Sequence, residues 1–247
     1  MVASNNSIFN TVGASISGVT NTLTVTNPSN TASSAARETI TVGGGSAGDP
    51  SLNFNVVGAT DWEMGIDNSD SDKWKLSQGT ALGTNDTIVA FTAGSVLKPR
   101  QPAFRATLSA PQLNVTGDGT QYVPIFDTEA FDQGNNYNNA TGTFTAPVTG
   151  IYLFSIGILF GNLIAANNGV NIQFTVNGAT AYLFDRCGVG TVRDANQLAG
   201  FTGTTIFRLT AGDTVTGQCG VNGGTKTVTV GSHSPGEENF FCGTLLC

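Results

Sequence analysis

The ten residues Ile151 to Phe160 read IYLFSIGILF, a run that is apolar on both of its alternating faces. Side chains alternate along a strand, so Ile151, Leu153 and Leu159 share one face, while Tyr152, Phe154, Ile156, Ile158 and Phe160 share the other. A strand of this kind must be covered twice. The interior of a sandwich takes the first set, and no helical periodicity elsewhere supplies a cover for the second. Tyr152, Phe154, Ile156, Ile158 and Phe160 are therefore expected at a surface shared with other copies of the chain.

Composition narrows the setting. Only 11% of residues are charged, while Gly, Thr, Ser and Asn are abundant, a mix that favours turns and strands over helices and excludes a coiled-coil stalk. The net charge is −7. Up to Arg100 there are 5 basic against 8 acidic residues, and beyond it 5 against 9, so neither part attracts a phosphate backbone and nucleic acid is discounted as a partner. No apolar run is long enough for a membrane helix and no basic amphipathic helix is evident, so membrane insertion is not expected. The first 36 residues carry no charge, hence no basic leader region of the secretory type.

Three regions follow along the chain. Residues 1–45 hold isolated strand pieces: NTLTVTN over Asn21 to Asn27, with Leu23 and Val25 on one face, and Thr39 to Val42. Too few large apolar residues are present for a core, so Leu23 and Val25 are expected to add a strand to a neighbouring subunit. Residues 46–100 form a small β-meander, with strands at Ser51 to Val57, Asp61 to Ile66, Trp74 to Ser77 and Thr87 to Thr92, closed by the proline-marked connector Gly94 to Pro102. Residues 101–247 hold further strands near Phe104 to Leu108, Gln121 to Phe126, Leu198 to Leu209, Thr214 to Val221 and Asn239 to Cys247. The clearest local signal is a hairpin over Gly169 to Asp185, where Val170, Ile172, Phe174 and Val176 alternate with polar residues and Asn177-Gly178 supplies the turn.

The last region resembles the C1q family. The residues that carry the likeness are Pro102-Ala103-Phe104, Phe126-Asp127, Tyr137, the run Thr141 to Tyr152 (TGTFTAPVTGIY), Leu209 to Val215 (LTAGDTV) and Phe240 to Leu246 (FFCGTLL). The resemblance implies an all-β fold with a ten-stranded C1q/tumour-necrosis-factor-like jelly roll, and a homotrimer. Two departures stand out: Cys242 sits where the family usually has serine, and no Gly-X-Y repeat precedes the domain, so the usual collagen stalk is missing. The meander's phrases GGGSAGDP, TDWEMGIDNSDSDKWKLS and ALGTNDT resemble modules found ahead of such domains in phage tail fibres and bacterial surface fibre proteins.

Candidate chemistry is sparse. Asp67, Asp70 and Asp72 put three carboxylates in six residues, and calcium loops take hard oxygen ligands at alternate positions, but Asp72 and Gln78 stand where an EF-hand needs glycine and glutamate, so a hairpin turn is expected and no cofactor is assigned. Asp185 or Asp194 could hold calcium by analogy with some C1q relatives, with no motif to support it. His233 has no nucleophile or acid at a catalytic spacing. Asp127, Glu129 and Asp132 form an acidic surface rather than a glycosidase pair. Trp62 and Trp74 are expected in the meander core. Cys187, Cys219, Cys242 and Cys247 match no metal spacing. A Cys187 to Cys219 link is conceivable, with free thiols as the default.

The sequence thus points to a non-enzymatic homotrimeric subunit of an extracellular or virion surface fibre. The alternative is a receptor-binding tip that recognises a host glycan or protein.

Overall fold

The computed structural model describes residues 25–183, 187–231 and 238–247. Five strands come first: β1 (Ser51–Phe54), β2 (Trp62–Asp67), β3 (Lys73–Gln78), β4 (Asp86–Ala90) and β5 (Val96–Leu97). They pair in chain order as an antiparallel meander. Each strand is short and bounded by turn residues. Between β2 and β3, Ser71 and Asp72 take φ of 59° and 56°, and the Asp67 carboxylate accepts from the backbone N–H groups of Ser69 and Asp70.

Twelve more strands build the rest. They are β6 (Ala103–Thr107), β7 (Gln112–Thr116), β8 (Thr128–Gln133), β9 (Tyr137–Asn138), β10 (Thr143–Thr145), β11 (Gly150–Gly161), β12 (Gly169–Val176), β13 (Ala179–Leu183), β14 (Ala199–Leu209), β15 (Thr214–Asn222), β16 (Val228–Val230) and β17 (Phe240–Leu245). One sheet has the order β13-β12-β15-β10-β9. The other, seven-stranded, runs β7-β16-β11-β17-β6-β8, with β14 paired along the far edge of β11. Five and seven strands stand in place of the expected ten, because short pieces such as β9 and β16 count separately. Among the described residues the one helix is the single turn α1 (Val189–Val192), and no helix is long and apolar enough to cross a membrane.

The β12–β13 hairpin turns at Asn177-Gly178, with φ of 51° and 78°, the positive values that an Asn-Gly turn supplies. Several expectations fail. Thr39 to Val42 pairs with no sheet, and in place of a strand at Gln121 to Phe126 the chain makes β7 and β8, with Tyr122 alone bridging Cys219. β7 and β8 are rich in polar residues, which hid them from an apolar-pattern reading.

The core overturns the face assignment of the long strand. Tyr152, Phe154, Ile156, Ile158 and Phe160, expected at a shared surface, are at most 1% exposed within the single chain. They point between the two sheets, where Phe154 meets Phe144, Phe174 and Phe241 at centroid distances of 5.3, 6.1 and 6.0 Å. The Tyr152 hydroxyl donates to Val148 O at 2.7 Å, so its one polar atom is satisfied. The physical reason is volume. A sandwich core is filled by the larger aromatic set, and glycines opposite make room for it. Gly243 faces Phe154, where an added Cβ would stand 2.5 Å from the ring, and Gly217 faces Ile156, with a Cβ 2.3 Å from Cδ1.

Candidate intersubunit surface

Turning the aromatic set inward leaves the opposite face of β11 outside. Ile151, Leu153 and Leu159 are only half-buried there. The register sets Leu153 beside Ile206 of β14 on one side and Thr244 of β17 on the other. Ile206 is 56% exposed. Ser155 lies between, its hydroxyl 2.8 Å from that of Thr204, so the polar groups at the centre of this face satisfy each other. Leu153, Leu159 and Ile206 thus form an apolar strip on a face that also carries Thr202, Thr204 and Arg208 of β14, the mixed character of a surface to be covered.

One device flattens the middle of it. The ring of Phe240 lies over Gly157, where an added Cβ would stand 2.5 Å from a ring carbon, and the Arg105 guanidinium sits 4.8 Å from the ring centroid on the same face. Arg105 therefore holds its charge against an aromatic ring instead of standing free. Cys242, two residues beyond Phe240 on the same face and paired with Arg105 of β6, has its thiol pushed up by burial. Sequence reading missed Gly157 and Phe240. The signal was available, since a glycine within an otherwise bulky strand marks a close approach.

The other candidates resolve into structure. Asp67 and Asp70 contact Lys75 Nζ at 2.8 and 2.7 Å, and Asp86 contacts it at 3.2 Å. An ammonium has three donors, and here each has a carboxylate. Burial opposes the Asp67 charge, yet hydrogen bonds from Lys75 and Ser69 outweigh it and hold the carboxyl below its ordinary 3.8. Asp70 is lowered by its hydrogen bonds to Lys73 and Lys75. Burial likewise opposes the Lys75 charge, but the three carboxylates win and raise its pKa. The acidic turn is thus a counter-charge for lysine.

Asp132 accepts from the backbone N–H groups of Asn136 and Tyr137, and Asp127 from that of Ser109, so these two acids brace turns around β8, while Glu129 is exposed. Asp194 accepts from the backbone of Asn196 and Leu198. Among the described residues no group of three His, Cys, Asp or Glu side chains is placed to hold a metal. Leu23, Asp185 and His233 lie outside the described residues; Val25 is 49% exposed and belongs to no strand. Trp62 and Trp74 are 38% and 37% exposed, which corrects their expected place in a core. Cys219, buried among apolar neighbours, and Cys242 and Cys247 carry free thiols, so no bridge joins Cys219 to Cys187.

A concavity of about 620 Å³ opens on the outer side of the β13-β12-β15-β10-β9 sheet. Amides line it. Gln121 and Asn171 exchange two hydrogen bonds of 2.7 and 3.2 Å, and Gln173 donates to Gln218 at 2.8 Å.

A two-layer antiparallel sandwich with its long strand in the larger sheet defines a jelly-roll domain. Residues 103–246 match the C1q domain family, and the chain belongs to that family. Similar solved structures include the globular domain of zebrafish complement 1qA protein, 16% identical with a TM-score of 0.40, covering 60% of this chain and 98% of that one. Murine APRIL at pH 8.0 is likewise 16% identical with a TM-score of 0.40, covering 59% of this chain and 99% of that one. A comparison with curated proteins finds no match. C1q and TNF-like family members form homotrimers and bind receptors or ligands, are typically non-enzymatic, and are typically secreted or extracellular.

Proposed function

We propose that this chain is a non-enzymatic, homotrimeric subunit of an extracellular or virion surface fibre, joined through the outward face of its seven-stranded sheet. The observation that carries this reading is the apolar strip on that face, with Leu153 and Ile206 side by side and Phe240 flattened against Gly157. The residues once expected there are core, and their neighbours of opposite parity replace them. Burying a carboxylate without a partner costs several kcal/mol per ion. Changing Leu153→Glu together with Ile206→Glu is therefore expected to turn a three-chain particle into single chains at micromolar concentration, with the far-UV spectrum unchanged. Sedimentation velocity decides: a double variant that stays at three chains excludes this face.

Residues near Leu23 and Val25 are proposed to pair with a neighbouring subunit and lengthen the assembly. Support comes from the exposed Val25 and Ile40, which this chain places in no sheet of its own. A second reading is favoured by the amide-lined concavity. Asn and Gln side chains in reciprocal pairs suit the vicinal hydroxyls of a glycan, and the chain would then be a receptor-binding tip. Electron micrographs of the purified protein separate the two readings. Continuous filaments support the fibre subunit. Discrete particles, whose attachment to cells is lost in a Gln121→Ala, Asn171→Ala variant, support the tip.

A further inference from the structure

The five-stranded meander hides its charges and exposes its apolar side chains. Every charged residue in β1 to β5 (Glu63, Asp67, Lys73, Lys75 and Asp86) lies on one face by register. That face is closed by the loop before β4: Leu82 is 9% exposed, and Gly83, at φ 87°, stands so close that a Cβ would be 2.8 Å from the Asp67 carboxylate. The opposite face aligns Leu52 with Met64, Phe54 with Trp62, Ile66 with Trp74 and Val96 with Ala90. Gln78 is its one polar side chain and it carries no charge. Phe54 is 54% and Val96 64% exposed. The chain leading into β1 brings Ile40 alongside Leu52 and Trp74 but covers one corner only.

We infer that this face packs against the same face of two further copies of the chain, so that three meander sheets enclose a second apolar core on the axis of the trimer. The inference rests on the trimeric reading above. An uncharged apolar face is complementary to itself, and two tryptophans with large apolar neighbours are the side chains that anchor interfaces. The linker fixes the geometry. Gln133 donates to Lys98 O and Gln101 O at 2.9 and 2.6 Å, and Gln101 donates to Leu245 O. The linker is thereby pinned to β8 and β17, strands of the sheet that bears the proposed intersubunit surface. Joining three jelly rolls then brings three such faces to the high effective concentration of a short tether.

Trp62 and Trp74 are the only tryptophans in the sequence, and both lie on this face, so indole fluorescence reports on it alone. In the full chain at three-chain mass, their emission is expected to be blue-shifted, with acrylamide quenching several-fold weaker than in the urea-unfolded chain. Leu76→Lys, placed mid-face, is expected to restore quenching while the jelly rolls keep the mass at three chains. A three-chain particle whose tryptophans quench as freely as in urea overturns the inference and leaves the trimer standing. A particle of single-chain mass overturns both. In the single-chain Leu153→Glu, Ile206→Glu protein the tryptophans are expected to open. If they stay shielded there, the chain's own N-terminal segment is the occupant and the inference fails.

Discussion

Replacing Phe154 with alanine is expected to destabilise the jelly roll by about 3–5 kcal/mol, the cost of deleting a buried phenylalanine from a core that cannot collapse to fill the gap. Five aromatic rings (Phe144, Tyr152, Phe174, Phe207 and Phe241) lie within 6.2 Å of its centroid, and Gly243 presses from the neighbouring strand, so no side chain is free to move in. Leu153→Ala, one residue away on the outward face, is expected to cost the isolated fold far less while weakening assembly. Urea unfolding followed by far-UV circular dichroism, at one fixed protein concentration because assembly adds to apparent stability, separates the two. If Phe154→Ala and Leu153→Ala shift the midpoint equally, the division of β11 into an interior and an exterior face is wrong.

Lys75→Met should be nearly as costly to the meander, by about 3–5 kcal/mol, because it leaves buried acids without their counter-charge. The side chains of Lys75 and Asp67 are each 4% exposed and that of Asp86 is 11% exposed, so water cannot replace the ammonium. The pH dependence gives the sharper signature. Asp67 and Asp70 titrate below their ordinary 3.8 in the folded chain, so their contribution is present above that value and is lost as the pH falls through the folded pKa. Lys75 is shifted upward from its ordinary 10.5, so its contribution holds below that value and is lost only in strong alkali. The native meander is therefore expected to lose stability on acidification from pH 5 to pH 2 or so. In Lys75→Met the bonds from Ser69 and the Asp70 backbone still support the Asp67 carboxylate against burial, but without the ammonium the trend should flatten. Tryptophan-monitored urea unfolding across that range tests it. Parallel pH profiles for the two proteins would show that the cluster is not coupled to folding.

Much of this architecture was legible in the residues. Asn177-Gly178 fixes a two-residue turn, and the alternation in Val170, Ile172, Phe174 and Val176 fixes which side of β12 is buried. The β2 and β3 strands fall within a residue of where their patterns place them. What pattern could not settle was direction. Both faces of Ile151 to Phe160 are apolar, and deciding which turns inward needs side-chain volume, with Tyr152, Phe154 and Phe160 against Leu153 and Leu159, and the glycines of β15 and β17 that make space for them. The meander misled for a related reason. Its tryptophans look like core by type, but the Lys75 cluster occupies the covered side, and an ion network of that kind is invisible until β2, β3 and the loop before β4 are brought together. The strand expected at Gln121 to Phe126 failed because Gln112 fixes that stretch by bonding to the backbone of Ile125 instead.

The thiols carry one last consequence. Cys219 sits wholly inside the sandwich with its ionisation suppressed by burial, while Cys242, half-buried on the outer face of the larger sheet beside Arg105, has its thiol pushed up less completely. A sulfur held as the protonated thiol and out of reach of oxidants is a poor nucleophile for disulfide exchange. The jelly roll can therefore meet reducing or oxidising surroundings with the Cys219 sulfur unchanged.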